Sequence, residues 1–311
     1  MNGPWVRALA PAKVNLTLAV LGKRPDGFHE IRSWMLALSL VDVVRVRATS
    51  TGGVRIVVRG DAATPDVPLD DRNLAVRAAQ AVLYEARARG LASLGAGLEI
   101  DLTKSIPSQA GLGGGSSDAA AAWVAARAAL AVELDDACAE AALARLGSDC
   151  VFFQKAHRGI GIATGRGERI EALSRPLPRW SIALVTPACG APTAAVYARA
   201  LPRDAERPTL PPRITEAASD ACGSIENDLE AAAIAAVPVL GTWRALLDEL
   251  GLRDWRLCGS GSSWFGIHDS DAEAHAALLR VENAARDRGL RLRLARVVRA
   301  AGHGAVLAPE S

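Results

Sequence analysis

Apolar residues crowd the opening stretch 7–21, interrupted by polar side chains at Lys13 and Asn15. The β-rich composition predicts a strand, and residues two apart on a strand share a face, so Lys13 and Asn15 project together. The run Arg24-Pro25-Asp26-Gly27 sets proline, aspartate and glycine in turn-forming order. Strand patterns follow at 33–46 and 54–58, divided by Thr51-Gly52-Gly53. Residues 73–89 are alanine-rich with no internal glycine or proline and predict a helix. The alternation Leu98-Glu99-Ile100-Asp101-Leu102 predicts a strand. Directly after it comes Ile106-Pro107-Ser108-Gln109-Ala110-Gly111-Leu112-Gly113-Gly114-Gly115-Ser116-Ser117-Asp118, running into a predicted helix over 119–130. The order is strand, glycine-rich loop, helix. A further helix leads to Gly147-Ser148-Asp149-Cys150-Val151-Phe152-Phe153, and 159–168 is glycine-rich and polar.

Composition shifts near 174–178, where two prolines flank a basic turn, and a domain boundary is expected there, dividing the chain into 1–175 and 176–311. The second part predicts a strand over 180–186, a helix from about Pro192-Thr193 and helical patterns through 214–250. A hairpin-like return is expected over 255–268 around Gly259-Ser260-Gly261-Ser262, then a helix over 271–288 and a strand over 290–298. Strands with helices set between them imply an α+β fold.

Half of the 311 residues are hydrophobic, enough for a sizeable core. Lys and Arg number 36 against 34 Asp and Glu, a net charge of +2, which removes the electrostatic case for a nucleic-acid or membrane binder. Arg45, Arg47, Arg55 and Arg59 read as solvated strand faces. Apolar runs are broken before a span of roughly 20 residues can form, and no charged segment followed by an apolar one opens the chain. The five cysteines, scattered without a CxxC pair, are expected to be reduced thiols in a cytoplasmic protein. The seven tryptophans are expected to pack in the interior or at interfaces. Only four of the 36 basic residues are lysine: Lys13, Lys23, Lys104 and Lys155. In an arginine-favouring chain, a lysine can mark a place that needs a compact point charge.

A loop of glycine and serine between a strand and a helix N-terminus is suited to an anion. Glycines let the backbone approach, unpaired amides point outward, and the helix dipole adds positive potential. Four glycines within 111–115 cost backbone entropy that a mere connector does not require. The usual phosphate binders do not match. The chain has no Gly-Lys-Ser/Thr of a Walker loop, and Ser116 stands where a dinucleotide fingerprint needs its third glycine. Protein-kinase signatures and a GxSxG elbow are also absent.

The segment 107–120 instead resembles the ATP-binding loop of the GHMP small-molecule kinases. Its triple glycine followed by Ser-Ser-Asp is similar to the branch acting on 4-diphosphocytidyl-2-C-methyl-D-erythritol. Further motifs agree in order along nearly the whole chain: Ala10-Pro11-Ala12-Lys13-Val14-Asn15-Leu16, Pro25-Asp26-Gly27-Phe28-His29-Glu30-Ile31, Gly147-Ser148-Asp149 with Phe152-Phe153, Asn227-Asp228-Leu229, and Gly259-Ser260-Gly261-Ser262-Ser263 with Phe265. Two departures stand out: Gln109 replaces a common glycine, and Cys150-Val151 replaces a common Val-Pro.

The resemblance implies a two-domain fold, with a ribosomal-protein-like N-terminal domain and a ferredoxin-like C-terminal one. It implies ATP and Mg²⁺ as cofactors, and transfer of the γ-phosphate to the 2-hydroxyl of a cytidine diphosphate conjugate of methylerythritol, in non-mevalonate isoprenoid precursor synthesis. Pro107, Ser108, Gln109, Ala110, Gly111, Leu112, Gly113, Gly114, Gly115, Ser116 and Ser117 would hold the triphosphate, with Lys104 and Asn73 near the adenosine. Asp149 would take the proton from the acceptor hydroxyl, with Lys13 beside it. Phe28 and His29 would read the cytosine, Tyr197 would be a second stacking aromatic, and Thr193 and Asn15 would contact the acceptor.

Plainer readings exist for each: a helix cap for Asp149, a snorkelling strand lysine for Lys13, a turn anchor for Phe28, a core-facing helix residue for Tyr197. The metal ligands and the oligomeric state stay open, with Ser117 the one metal contact suggested. The rival functions are a GHMP kinase for homoserine or mevalonate, which gives no reason for the Asp26-Gly27-Phe28-His29 loop, and a non-catalytic nucleotide-binding regulator, which gives none for Lys13 and Asp149 together.

Overall fold

The computed structural model describes residues 2–203, 212–214 and 217–309. β1 (Val6–Lys23) and β2 (His29–Thr49) form a long antiparallel pair joined by the predicted turn. After them come β3 (Gly53–Arg59), α1 (Leu74–Ala88), β4 (Gly97–Thr103), α2 (Gly114–Leu130), α3 (Asp136–Leu146), α4 (Cys150–Lys155), β5 (Ile160–Gly165) and β6 (Arg169–Ala172). The second half contains β7 (Ser181–Pro187), α5 (Thr193–Tyr197), α6 (Ala218–Cys222), β8 (Glu226–Asn227), α7 (Glu230–Ala236) and α8 (Val239–Glu249). It closes with β9 (Arg256–Leu257), β10 (Trp264–His268), α9 (Asp271–Asp287), β11 (Leu292–Arg299) and β12 (Val306–Ala308).

One sheet runs β12-β1-β2-β4-β3, extended by β5 along β2, β6 along β5, and β8 in parallel with β1. The other, β11-β7-β10-β9, is antiparallel. In chain order its strands stand fourth, first, third, second with α9 packed across them, which is the ferredoxin-like arrangement. α2 lies on β1 and β2 and against α1 and α4. Its residues Ala119–Ala122, Trp123, Ala125 and Ala126 are all buried, as a helix covered on several sides requires. A second core, with Leu16, Leu36, Ile106, Leu112, Trp180, Leu184 and Phe265, joins the two sheets. A third, around Trp243, Trp264 and Val281, fills the space between the second sheet and its helices.

Several expectations need correction. The helix placed at 119–130 begins at Gly114, because Gly113 takes the left-handed conformation at its N-cap and starts the helix inside the loop. The polar stretch 159–168 is largely strand β5, zipped to β2 from Ile31↔Gly165 to Leu36↔Ile160. The helical patterns through 214–250 are divided by β8, and residues 215–216 lie outside the described residues. Of the four arginines read as solvated, Arg55 is exposed, whereas Arg45, Arg47 and Arg59 are ion-paired. Arg45 and Arg59 reach Asp101 at 3.7 and 2.8 Å, Arg47 reaches Glu99 at 2.5 Å, and Arg45 and Arg47 lie over the Trp5 ring. The other six tryptophans are buried. The five cysteines are free, and among the described residues no helix is long and apolar enough to cross a membrane.

Candidate active site

A cavity of about 960 Å³ opens where β1, the glycine-rich loop, the residues before α4, the turn before β2, α5 and the β9–β10 turn converge. Every site residue proposed from the sequence lines it except Ser117, which is fully buried with an unpartnered hydroxyl.

Lys13 is buried in β1, and its Nζ donates to Asn15 Oδ1 at 2.7 Å, so the shared face predicted for the two residues is real. Asn15 Nδ2 in turn donates to Ser33 Oγ at 2.7 Å, and Ser33 Oγ to the Thr17 carbonyl at 2.7 Å. The register of β1 against β2 shifts between Asn15 and Thr17, an irregularity of the kind that re-aims side chains beside sites. The Lys13 ammonium also lies 3.4 Å from Asp149 Oδ2. Asp149 occupies the N-cap position of α4 but makes no side-chain capping bond, so its carboxylate is not spent on the helix. A snorkelling lysine and a capping aspartate are both set aside by this geometry.

The loop is bound to β1 by the amide of Lys13 donating to the Leu112 carbonyl at 2.9 Å. Gly111 and Gly113 hold φ values of +76° and +71°. A Cβ on Gly113 would lie 3.1 Å from Lys13 Cγ and 3.0 Å from the Phe153 ring, so glycine is needed for close approach as well as for the backbone. Gln109 also sits at φ +50°, which explains why a glycine is natural there. A residue with a Cβ pays roughly 1–2 kcal/mol in that conformation. Its carbonyl accepts from the Ala191 amide at 3.1 Å, which helps to hold it.

Lys104 and Asn73, expected beside the adenosine, line the cavity, yet both have structural bonds. Asn73 caps α1, accepting from the Ala75 amide at 3.0 Å and donating to the Pro68 carbonyl at 2.8 Å. The Lys104 ammonium is buried between Asp42 and Asp118, 2.7 Å from the latter. Asp42 also accepts from the amides of Ser105 and Ile106, at 2.5 and 2.8 Å. Burial works against the Lys104 charge, but the two carboxylates outweigh it and hold the group at about 12. Burial pushes the Asp118 carboxyl the other way, up to about 8 despite Lys104. This triad ties the entry of the loop to the first turns of α2.

On the opposite wall Phe28 is 48% exposed, with the Arg166 guanidinium 4.9 Å from its ring centroid. The rings of His29 and Tyr197 lie 5.4 Å apart, and burial followed by Asp149 nearby pushes the Tyr197 hydroxyl above its usual range. Thr193 Oγ1 is 3.1 Å from Ser260 Oγ. Three groups at the site escaped the sequence reading. Arg166 lines the cavity but is one arginine among thirty-two. Asp66, from a loop remote in sequence, accepts from Ser108 Oγ at 2.5 Å. Asp42, on β2, carries no motif and is marked only by its contacts with Lys104 and the amides of Ser105 and Ile106.

The family model for the GHMP kinases N terminal domain matches residues 73–160. The chain is 35% identical over 279 residues to the 4-diphosphocytidyl-2-C-methyl-D-erythritol kinase of Citrifermentans bemidjiense, covering 90% of this chain and 95% of that one. It is 38% identical to the kinase of the same name from Pelotomaculum thermopropionicum, covering 84% and 88%. Among solved structures, a 4-(cytidine 5'-diphospho)-2C-methyl-D-erythritol kinase matches with a TM-score of 0.68 and 32% identity over 95% of this chain and all of that one. Homoserine kinase from Cytophaga hutchinsonii matches with a TM-score of 0.72 over 98% and 97%, at 17% identity, a likeness of fold alone.

Proposed function

The chain belongs to the 4-diphosphocytidyl-2-C-methyl-D-erythritol kinases of the GHMP kinase family, and from that premise we propose how its own residues carry the reaction. It is an ATP-dependent small-molecule kinase, and its acceptor is 4-diphosphocytidyl-2-C-methyl-D-erythritol, an intermediate in isoprenoid precursor synthesis. The acceptor atom in our reading is the 2-hydroxyl.

Phosphoryl transfer is mostly positioning and charge stabilisation. The loop 107–116 holds the triphosphate against its own amides and the N-terminus of α2. The positive φ at Gly111 and Gly113 and the tight packing at Gly113 favour this reading, since they bring backbone rather than side chains to the cavity wall. Asp149 accepts the proton of the acceptor hydroxyl, while Lys13, held by Asn15, orients that hydroxyl and offsets charge developing on the transferred group. Phe28 offers its ring to the cytosine, and His29 with Tyr197 closes the other side of the base. Lys104 serves the loop rather than the adenosine. Mg²⁺ would accompany the ATP phosphates and supply charge neutralisation there. The chain's own side chains do not form a ligand set for the ion: among the described residues no three His, Cys, Asp or Glu cluster to hold a metal, Ser117 Oγ is buried off the cavity, and Asp118 is paired with Lys104. We further place the domain boundary at 174–178. The change of sheet between β6 and β7 supports it, although β8 and β12 return to the first sheet.

The observation that carries the assignment of roles is the Lys13–Asp149 pair, standing between the glycine-rich loop and the aromatic wall. It is tested by ³¹P NMR with ATP·Mg²⁺ and, in separate tubes, the cytidine conjugate, mevalonate and homoserine. A new monophosphate ester is expected with the conjugate alone. Product with another acceptor would overturn the reading of the aromatic wall, and ATP binding without any turnover would favour a regulator.

A further inference from the structure

The turn 258–263, between β9 and β10, has no part in the chemistry above, yet it touches three parts of the site. The Cys258 thiol donates to the carbonyls of Lys13 at 3.3 Å and Gly111 at 3.2 Å. The Ser263 amide donates to the Ala110 carbonyl at 3.1 Å, and Ser260 meets Thr193 at 3.1 Å. The contacts are tight enough to require glycine on both sides. A Cβ on Gly111 would fall 1.9 Å from the Cys258 carbonyl oxygen, and one on Gly259 would fall 3.2 Å from Lys13 Nζ. Where this turn lies therefore sets where the Lys13 ammonium and Gly111 can lie.

Asn227 holds the turn. Its Nδ2 donates to the carbonyls of Leu257 at 2.8 Å and Gly259 at 2.7 Å, and its Oδ1 accepts from the Leu229 amide at 2.9 Å. Asn227 belongs to β8, which lies parallel to β1 with Asn227 opposite Leu18. A side chain anchored on the strand of Lys13 thus grips the turn of the other sheet. Only a primary amide offers two donors and an acceptor in so small a group; aspartate lacks the donors and serine has a single one.

We propose that Asn227 is a positioning residue for phosphoryl transfer: by pinning the turn 258–263 between β1 and the glycine-rich loop, it holds the Lys13 ammonium in register with Asp149 and the transferred phosphate. This rests on the function proposed above. Asn227 touches neither Lys13 Nζ nor the cavity, so it acts through the turn.

The test compares the wild type, Asn227→Ala and Asn227→Asp for kcat, for KM of ATP and of the cytidine conjugate, and for melting temperature. A displaced catalytic group is expected to lower kcat roughly 10- to 100-fold in both variants, with each KM within about threefold of wild type. A kcat near wild type, whatever the melting temperature, would overturn the inference and leave Asn227 a structural residue. Should the Asn227 variants fail to fold, Cys258→Ser and Cys258→Ala decide. The serine keeps a donor to Lys13 and Gly111, and its kcat is expected to exceed that of the alanine variant about tenfold; equal rates would overturn the inference. A wild type that leaves the conjugate unphosphorylated would overturn the function itself, a result distinct from any ratio between variants.

Discussion

The Lys13 ammonium stands 3.4 Å from Asp149 Oδ2, although the two residues lie far apart in the sequence. β1 brings the lysine; the break between α3 and α4 brings the aspartate. Asp149→Asn keeps the shape and removes the proton acceptor. Folding and ATP affinity should be retained, while kcat falls by roughly 10²–10⁴. Calorimetric ATP titration beside steady-state kinetics checks both halves, and near-native turnover would sink the role given to Asp149.

Phe28 is half exposed on the cavity wall, with one side of its ring facing Arg166. An aromatic ring left so open is more useful to a ligand than to a core. Phe28→Ala should raise KM for the cytidine conjugate by about tenfold or more, since base–aromatic stacking is worth roughly 1–3 kcal/mol. KM for ATP should stay unchanged. An equal rise for both substrates would assign Phe28 to turn structure instead.

Much of this was legible before the fold was known, for identifiable reasons. β-rich composition marked the opening strand, and residues two apart on a strand share a face, so Lys13 and Asn15 were placed together. Helix α1 was marked by an alanine-rich run free of glycine and proline, and the hairpin 255–268 by its glycine turn. The glycine cluster marked an anion loop because backbone freedom is costly to keep. Other features were hidden because they depend on contacts across the chain. Helix α2 starts early through the φ of Gly113, which no residue pattern announces. Strand β5 is short and rich in glycine, which blurs a strand pattern, and it is held by pairing with β2. Lys104 was rightly singled out as rare, but its two carboxylates come from β2 and α2, so its place in the triad could not be read from its neighbours. Arg166 was lost among the other arginines.

Gly111 tests the loop itself. Its φ of +76° and the 1.9 Å approach of a Cβ to the Cys258 carbonyl leave no room for alanine without moving backbone. Gly111→Ala should lower the melting temperature and weaken ATP binding together, because the same displacement disturbs the turn and the phosphate amides. The left-handed backbone alone costs about 1 kcal/mol or more. Differential scanning fluorimetry with and without ATP measures both effects. Unchanged ATP affinity would detach Gly111 from the phosphate site.

The triad beneath the loop yields a pH prediction. Burial holds the Asp118 carboxyl up to about 8, well above its ordinary value of 3.8, against the attraction of Lys104. A carboxyl raised in the folded state binds its proton more tightly there than in the unfolded chain. Its contribution to stability is complete below the ordinary value and is lost as the pH rises through about 8. Lys104, held at about 12, keeps its charge across that window, so the change belongs to the carboxylate side of the triad. Asp118→Asn does not titrate. The melting temperature of the variant relative to wild type should therefore climb steadily from about pH 5 to about pH 9. A difference that stays flat would mean that Asp118 is already ionised throughout, with Lys104 fully compensating its burial.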